Sequence, residues 1–270
     1  MRQTTSSSVV EARYAIETRG LSFSYNTESP TINDLSLSVR QGEFVCILGH
    51  SGCGKSTLLG LLMGLLKPAS GSISINGEKM LGPTTDRTIV FQDYSLFPWM
   101  TVRKNVIFGI KHSQSMRKKE AAELADKYLD QVGLFEEKDK YPHQLSGGMR
   151  QRTAIARSLA MDSPIWLFDE PFSALDPQMR KSLQKLVVDV AKKEALRTVL
   201  FVTHNVDEAV TLGERILFMS GGAIYEDIRV SLPYPREKED MALTPEYFTI
   251  TNRLAKLFYE TRVRQGEQTI

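Results

Sequence analysis

The chain has 270 residues, with 34 Lys and Arg against 32 Asp and Glu, a formal net charge of +2 and 41% hydrophobic residues. That balance excludes collagenous, disordered and disulfide-scaffold classes and gives no general electrostatic reason to bind nucleic acid. Two cysteines, Cys46 and Cys53, form no paired metal spacing, and the longest apolar stretch, Leu58 to Leu66, is far short of the ~20 residues needed to span a bilayer.

Residues 1–12 are polar and rich in Ser and Thr, and read as a flexible leader without the apolar run of a secretory signal; an intracellular protein is expected. From Tyr14 to Val39 the segments TRGLSFSYN and INDLSLSVR flank a turn at Glu28-Ser29-Pro30, which predicts strands. EFVCILG is a short β-rich run of the kind buried inside a sheet. A glycine-rich loop follows, and STLLGLLMGLL has the apolar density of a largely buried helix. SGSISINGEKM reads as a strand with a turn at Asn76-Gly77.

Residues 93–160 change to helical character. In KKEAAELADKYLDQVGLF, Ala121, Leu124, Ala125, Tyr128 and Leu129 share one face, and Gly133 stands near the end. The basic run Met116-Arg117-Lys118-Lys119 reads as a solvated helix start. SPIWLFDEP is an apolar strand, PQMRKSLQKLVVDVAKKEA a helix, TVLFVTH a strand and NVDEAVTLG a short helix. ERILFMSGGAIYEDI predicts a hairpin about Gly221-Gly222. Beyond Leu232, Thr244-Pro245-Glu246 caps a last helix. Tyr247, Phe248, Ile250, Leu254, Leu257 and Phe258 mark its apolar face, expected to dock on the chain's own core. Strand–helix alternation on both sides of the helical block predicts an α/β core with an inserted helical subdomain.

Gly49-His50-Ser51-Gly52-Cys53-Gly54-Lys55-Ser56 fits G-x-x-x-x-G-K-[ST] between a predicted strand and a predicted helix. Glycines let backbone N–H groups curl around phosphate oxygens, and a helix N-terminus adds positive potential. Lys55 can then reach the β- and γ-phosphates, and the Ser56 hydroxyl can ligate Mg²⁺. Cys46 is expected as a buried small residue and Cys53 as a tolerated loop position. The apolar run Ile165–Phe168 ends in Asp169 and Glu170, a pair suited to hold a metal (Asp169) and activate water (Glu170). Strand neighbours point to opposite faces, so both serve one site only if the strand ends there, which Pro171 favours.

Leu145-Ser146-Gly147-Gly148-Met149-Arg150-Gln151-Arg152 resembles the signature sequence of ABC-transporter nucleotide-binding subunits, and residues from about 15 to 230 carry that family's motifs in order. The resemblance implies an α/β P-loop NTPase (RecA-like) core with an antiparallel β subdomain and an inserted α-helical subdomain. The cassette would span 13–230, with the helical subdomain at about 93–160 and a short helical extension at 231–270. It also implies ATP and Mg²⁺ as cofactors. Tyr25 resembles the aromatic that stacks on adenine, and Gln92 the glutamine that contacts Mg²⁺ and links the site to the membrane partner. Ser173-Ala174-Leu175-Asp176 resembles the loop between two active sites, and His204 the switch histidine near the γ-phosphate. Catalysis would fall to Glu170, His204, Lys55 and Gln92. Nucleotide binding would fall to Tyr25, Gly49, His50, Ser51, Gly52, Cys53, Gly54, Lys55, Ser56, Thr57 and Asp176. Ser146, Gly147 and Gly148 would act on the opposite subunit's ATP, and Ser56, Gln92 and Asp169 on Mg²⁺.

One phosphate loop and one signature imply a second copy, or a close relative, as partner. Permease subunits and, indirectly, a solute-binding protein complete the implied assembly, peripheral to the cytoplasmic face of the inner membrane and without nucleic acid. Pro142-His143-Gln144 is similar to bacterial importer subunits. QDYSLFPWMTVRKNVIFGI and SLPYPRE are similar to the nitrate, sulfonate and taurine uptake branch, in which Phe97, Pro98 and Trp99 would line the permease groove. The alternative is an ABC-type ATPase with a non-transport role, on nucleic acid or in assembly. The single cassette without heptads and the intact Lys55, Asp169, Glu170 and His204 count against it.

Overall fold

The computed structural model describes residues 14–26, 29–193, 197–236 and 239–267, so the leader expected at 1–12 lies outside the described residues. The first strands are β1 (Tyr14–Phe23) and β2 (Ile32–Arg40), which pair antiparallel. On β2, Leu35, Leu37 and Val39 turn inward with the period-2 pattern of a half-buried strand, and Ile32 joins them across an irregularity at Asp34. β3 (Phe44–Gly49) is buried along its whole length. α1 (Lys55–Met63) leaves only Ser56 exposed. β4 (Ser70–Ile75) and the short β5 (Glu78–Lys79) complete a four-stranded antiparallel sheet in the order β2-β1-β4-β5.

The second sheet has six strands. β6 (Arg87–Val90), β7 (Ile165–Asp169), β8 (Thr198–Thr203), β9 (Arg215–Ser220) and β10 (Ala223–Arg229) join β3 in the order β10-β9-β3-β8-β7-β6. Every pairing is parallel except the β9–β10 hairpin. The sequence reading missed β6, because its Arg-Thr-Ile-Val run is too short and polar to stand out from a turn-rich surround. Alternate side chains of β3 enter two apolar layers. Phe44, Cys46 and Leu48 face a layer built with the helices; Val45 and Ile47 face one built with α1 and the antiparallel sheet.

Between β6 and β7 the chain inserts α2 (Val102–Ser113), α3 (Lys118–Gln131) and α4 (Gly147–Ala160), which pack on one another. Ala121, Ala125 and Leu129 form the buried stripe of α3, with Leu124 and Tyr128 at its edge. α5 (Pro177–Lys193) and α6 (Val206–Leu212) follow β7 and β8. α7 (Pro245–Glu267) packs on α6 and β9, with Leu254 and Leu257 buried and Phe258 edge-on to Phe218 at 5.0 Å. Phe248 departs from its expected place on the inner face: it is 53% exposed. At 100° per residue it lies well off the stripe that joins Tyr247, Ile250, Leu254, Leu257 and Phe258. Cys53 also differs from the expected tolerated loop position, since its side chain is buried in the apolar layer beneath α1.

Candidate functional site

Strand register assembles the site. Leu48 of β3 lies opposite Thr203 of β8, Val202 opposite Asp169 of β7, and Phe168 opposite Val90 of β6. Four parallel strands therefore end in one line, and their carboxyl-terminal loops open on the same edge, where ligands bind in open α/β sheets. A cavity of about 490 Å³ sits there, lined by Tyr25, Thr31, Ser51, Gly52, Gly54, Lys55, Ser56, Thr57, Gln92, Glu170 and His204. That volume suits a small organic ligand.

The phosphate loop closes on itself because its glycines allow it. Gly54 has φ 103°, and a Cβ there would stand 2.6 Å from the Thr31 carbonyl; one on Gly49 would stand 2.2 Å from the Met219 carbonyl. Neither position accepts a side chain. Lys55 is buried, and its Nζ donates to the carbonyls of Gly49 and His50 at 2.9 and 2.8 Å. Its ammonium is thereby aimed along the loop at the head of α1, whose free N–H groups favour anions. Tyr25 is 68% exposed over the mouth, with its hydroxyl 3.4 Å from Thr57 Oγ1 and its ring edge-on to Phe23.

β7 ends at Asp169, and Glu170 turns out of the strand with φ 48°, so the alternation that would separate the two carboxylates is broken at the required point. Asp169 is buried and hydrogen-bonded by the Ser56 hydroxyl, while its Oδ1 has no partner. Burial pushes its carboxyl above the usual range, and the neighbouring Glu170 adds to the shift. A buried, unpartnered carboxylate oxygen beside a hydroxyl fits a divalent cation. Among the described residues no cluster of three or more His, Cys, Asp or Glu could hold a metal, so beyond Asp169 a Mg²⁺ here would need hydroxyl, amide, water or phosphate oxygens.

His204 follows β8, and its Nδ1 lies 2.9 Å from Glu170 Oε2. The turn that carries it is held from behind. Thr203 Oγ1 accepts from the Asn205 N–H at 3.0 Å and donates to Glu208, which also accepts from Gln184 Nε2 at 2.9 Å. Asn205 caps α6 by accepting from the Glu208 N–H at 3.0 Å. Glu208 is buried, and that burial pushes its carboxyl up.

The other expected site residues lie elsewhere. His50 and Cys53 belong to the loop but direct their side chains to α7 and to the core. Ser146 caps α4, accepting from the Met149 N–H at 3.3 Å. Gly147 and Gly148 lie against Tyr94 and Ala174, beside the loop where Asp176 caps α5 through the Met179 N–H at 2.9 Å. Ser146, Gly147, Gly148 and Asp176 do not line the cavity of their own chain.

Three residues escaped the sequence reading. Thr31 lines the cavity from the residue just before β2 and carries no motif. Glu208 supports the His204 turn from within α6. Asn105 is fully buried on α2; its Oδ1 accepts from the Phe97 N–H at 2.9 Å, and its Nδ2 donates to the carbonyls of Phe97, Met100 and Thr101. The only available signal was a polar residue at a helical spacing that puts it on the buried face with Val102, Val106 and Ile110. It holds the Phe97–Thr101 loop so that Trp99 stands 70% exposed.

Comparison with known proteins finds relatives of the whole fold. The family model described as "ABC transporter" matches residues 32–173. The nitrate import ATP-binding protein NrtD of Synechocystis sp. is 42% identical over 245 residues, covering 88% of this chain and 90% of that protein. NrtC of Synechococcus elongatus, also a nitrate import ATP-binding protein, is 43% identical over 235 residues; the match covers 86% of this chain but spans only 36% of that longer protein. Among solved structures, the dimeric post-hydrolysis state of the ATP-binding cassette MJ0796 bound to ADP and Pi superposes with a TM-score of 0.74 at 30% identity. That match covers 81% of this chain and all of the other.

Proposed function

Since the chain belongs to the ABC transporter family and is an ATPase subunit of it, we propose that it powers a bacterial importer for a small solute of the nitrate, sulfonate or taurine kind, with two cassettes sandwiching two ATP. The observation that carries the reading is a cavity in which the phosphate loop, Gln92, Glu170 and His204 meet, while Ser146 at the start of α4 does not line it. An anion-binding helix start with no phosphate in its own chain has a use when a second chain brings one.

In this reading Tyr25 stacks on the base, the loop amides and Lys55 hold the β- and γ-phosphates, and Ser56, Asp169 and Gln92 are the candidates to hold Mg²⁺. That ion would neutralise charge developing on the phosphates. Glu170 takes a proton from the attacking water, and His204 orients Glu170 through the 2.9 Å contact. The Phe97-Pro98-Trp99 corner, exposed at Pro98 and Trp99 and fixed by Asn105, receives the permease. Among the described residues no helix is long and apolar enough to cross a membrane, so the span would come from that partner. The names of the nitrate import relatives support the branch, and the solute itself would be chosen by the permease and its binding protein.

The reading is tested by purifying the chain with its candidate permease and measuring ATP hydrolysis and nitrate, sulfonate or taurine uptake in proteoliposomes. ATP-dependent uptake of one of these solutes is expected. Absence of hydrolysis with the permease present would overturn the reading.

A further inference from the structure

α7 reaches the nucleotide cavity from behind. The ring of His50, second residue of the phosphate loop, points away from the cavity: its Nε2 lies 3.1 Å from the Phe258 carbonyl and 3.0 Å from Thr261 Oγ1. The ring also meets Phe258 edge-on at 5.0 Å. The Thr261 hydroxyl directs its own hydrogen to the Leu257 carbonyl at 2.7 Å. Both partners of Nε2 are therefore acceptors, and His50 donates from Nε2–H. The main-chain carbonyl of this same His50 accepts from Lys55 Nζ. One residue thus joins α7 to the lysine at the heart of the loop.

The helix is firmly seated where it makes this contact, with Leu254, Leu257 and Thr261 all buried. Nearer its start, the Tyr247 hydroxyl donates to Asp207 Oδ1 at 2.7 Å, on α6 just beyond His204. Arg253 pairs with Glu226 of β10. α7 is consequently anchored next to both halves of the cavity, the phosphate loop and the His204 turn.

We propose that α7 is a brace that pre-organises the phosphate loop, with His50 and Thr261 as positioning residues for ATP binding. This rests on the reading of the cavity as an ATP site. A loop with glycines at positive φ at Gly52 and Gly54 is costly to order. A tether at His50 removes freedom that ATP would otherwise have to remove, so docking of α7 raises affinity. By reciprocity, bound ATP tightens the docking of α7 by the same factor.

The test uses the full chain and three measurements: affinity for a fluorescent ATP analogue, the KM and kcat of hydrolysis, and hydrogen exchange across residues 250–262 with and without ATP. Thr261→Val keeps the buried volume and removes one acceptor. It is expected to raise Kd and KM about three- to ten-fold, the size of one lost hydrogen bond, with kcat within about twofold; Thr261→Ser restores both. In the wild type, ATP is expected to slow exchange across this segment. An unchanged Kd in a folded Thr261→Val variant, or exchange that ATP does not slow, overturns the brace. If that variant fails to fold, the wild-type exchange decides alone. A wild type that binds no ATP defeats the reading of the cavity instead.

Discussion

His204 Nδ1 stands 2.9 Å from Glu170 Oε2, although 34 residues separate them in the chain. An Nδ1–H donated across this contact fixes both the imidazole tautomer and the direction of the carboxylate. The two residues directly follow neighbouring strands, β7 and β8, whose register brings Asp169 opposite Val202.

This contact predicts how hydrolysis fails. Glu170→Gln is expected to keep ATP affinity within about threefold and to lower turnover by roughly 10²–10⁴, the range for a lost general base. His204→Ala should also lower turnover at similar affinity, because the base loses its orientation. Phosphate release alongside analogue binding checks both; an undiminished rate in Glu170→Gln removes the base assignment.

A second prediction concerns Asp169, whose carboxyl is held above its usual range first of all by burial. Between the unfolded and the higher folded pKa, the native chain binds more protons than the unfolded one. This group therefore costs stability as pH rises through that window, and the cost persists above it. Asp169→Asn keeps the Ser56 contact and removes the buried charge. It is expected to raise Tm at neutral pH and to lose Mg²⁺-dependent hydrolysis. The gain should vanish in acid, where Asp169 is protonated. A variant destabilised at neutral pH would contradict the account.

Ser146→Arg tests the shared site. Ser146 caps α4 outside the cavity of its own chain. ATP binding should persist, whereas ATP-dependent dimerisation in the Glu170→Gln background should disappear, as measured by light scattering. A dimer in the double variant would show that α4 does not face a partner's phosphate.

Asn105→Leu leaves the Phe97 N–H and the Met100 carbonyl without their buried partner. A cost of about 1–3 kcal/mol is expected for the stranded donor, measured by denaturant unfolding. ATP affinity should be untouched, since Asn105 does not line the cavity, and co-purification with the permease should fall.

Most of the chemistry was legible along the chain because it resides in contiguous runs. The phosphate loop, the Asp169-Glu170 pair and the Ser146-Gly147-Gly148 turn each carry their residue types at spacings set by one strand end or one helix start, and local backbone rules suffice to read them. The α/β alternation was visible for the same reason, since β3, β7 and β8 are short apolar runs bounded by turn residues. β6 and the outward turn of Phe248 were not, because a four-residue strand is made by pairing with its neighbour, and a helix's inner face is set by what it packs against.

The net charge of +2 and the missing apolar span bounded the protein without saying what it does, and the ordered motifs alone named its chemistry. Tertiary structure decided which residues meet. Strand register aligned the ends of β3, β6, β7 and β8 at one cavity, a positive φ at Glu170 took it out of the strand alternation and into the cavity lining while Asp169 met Ser56, and the docking of α7 joined Thr261 to His50 across 211 residues. Those relationships depend on contacts between distant segments, and such contacts form only when burial of the two apolar layers fixes how the elements lie against one another.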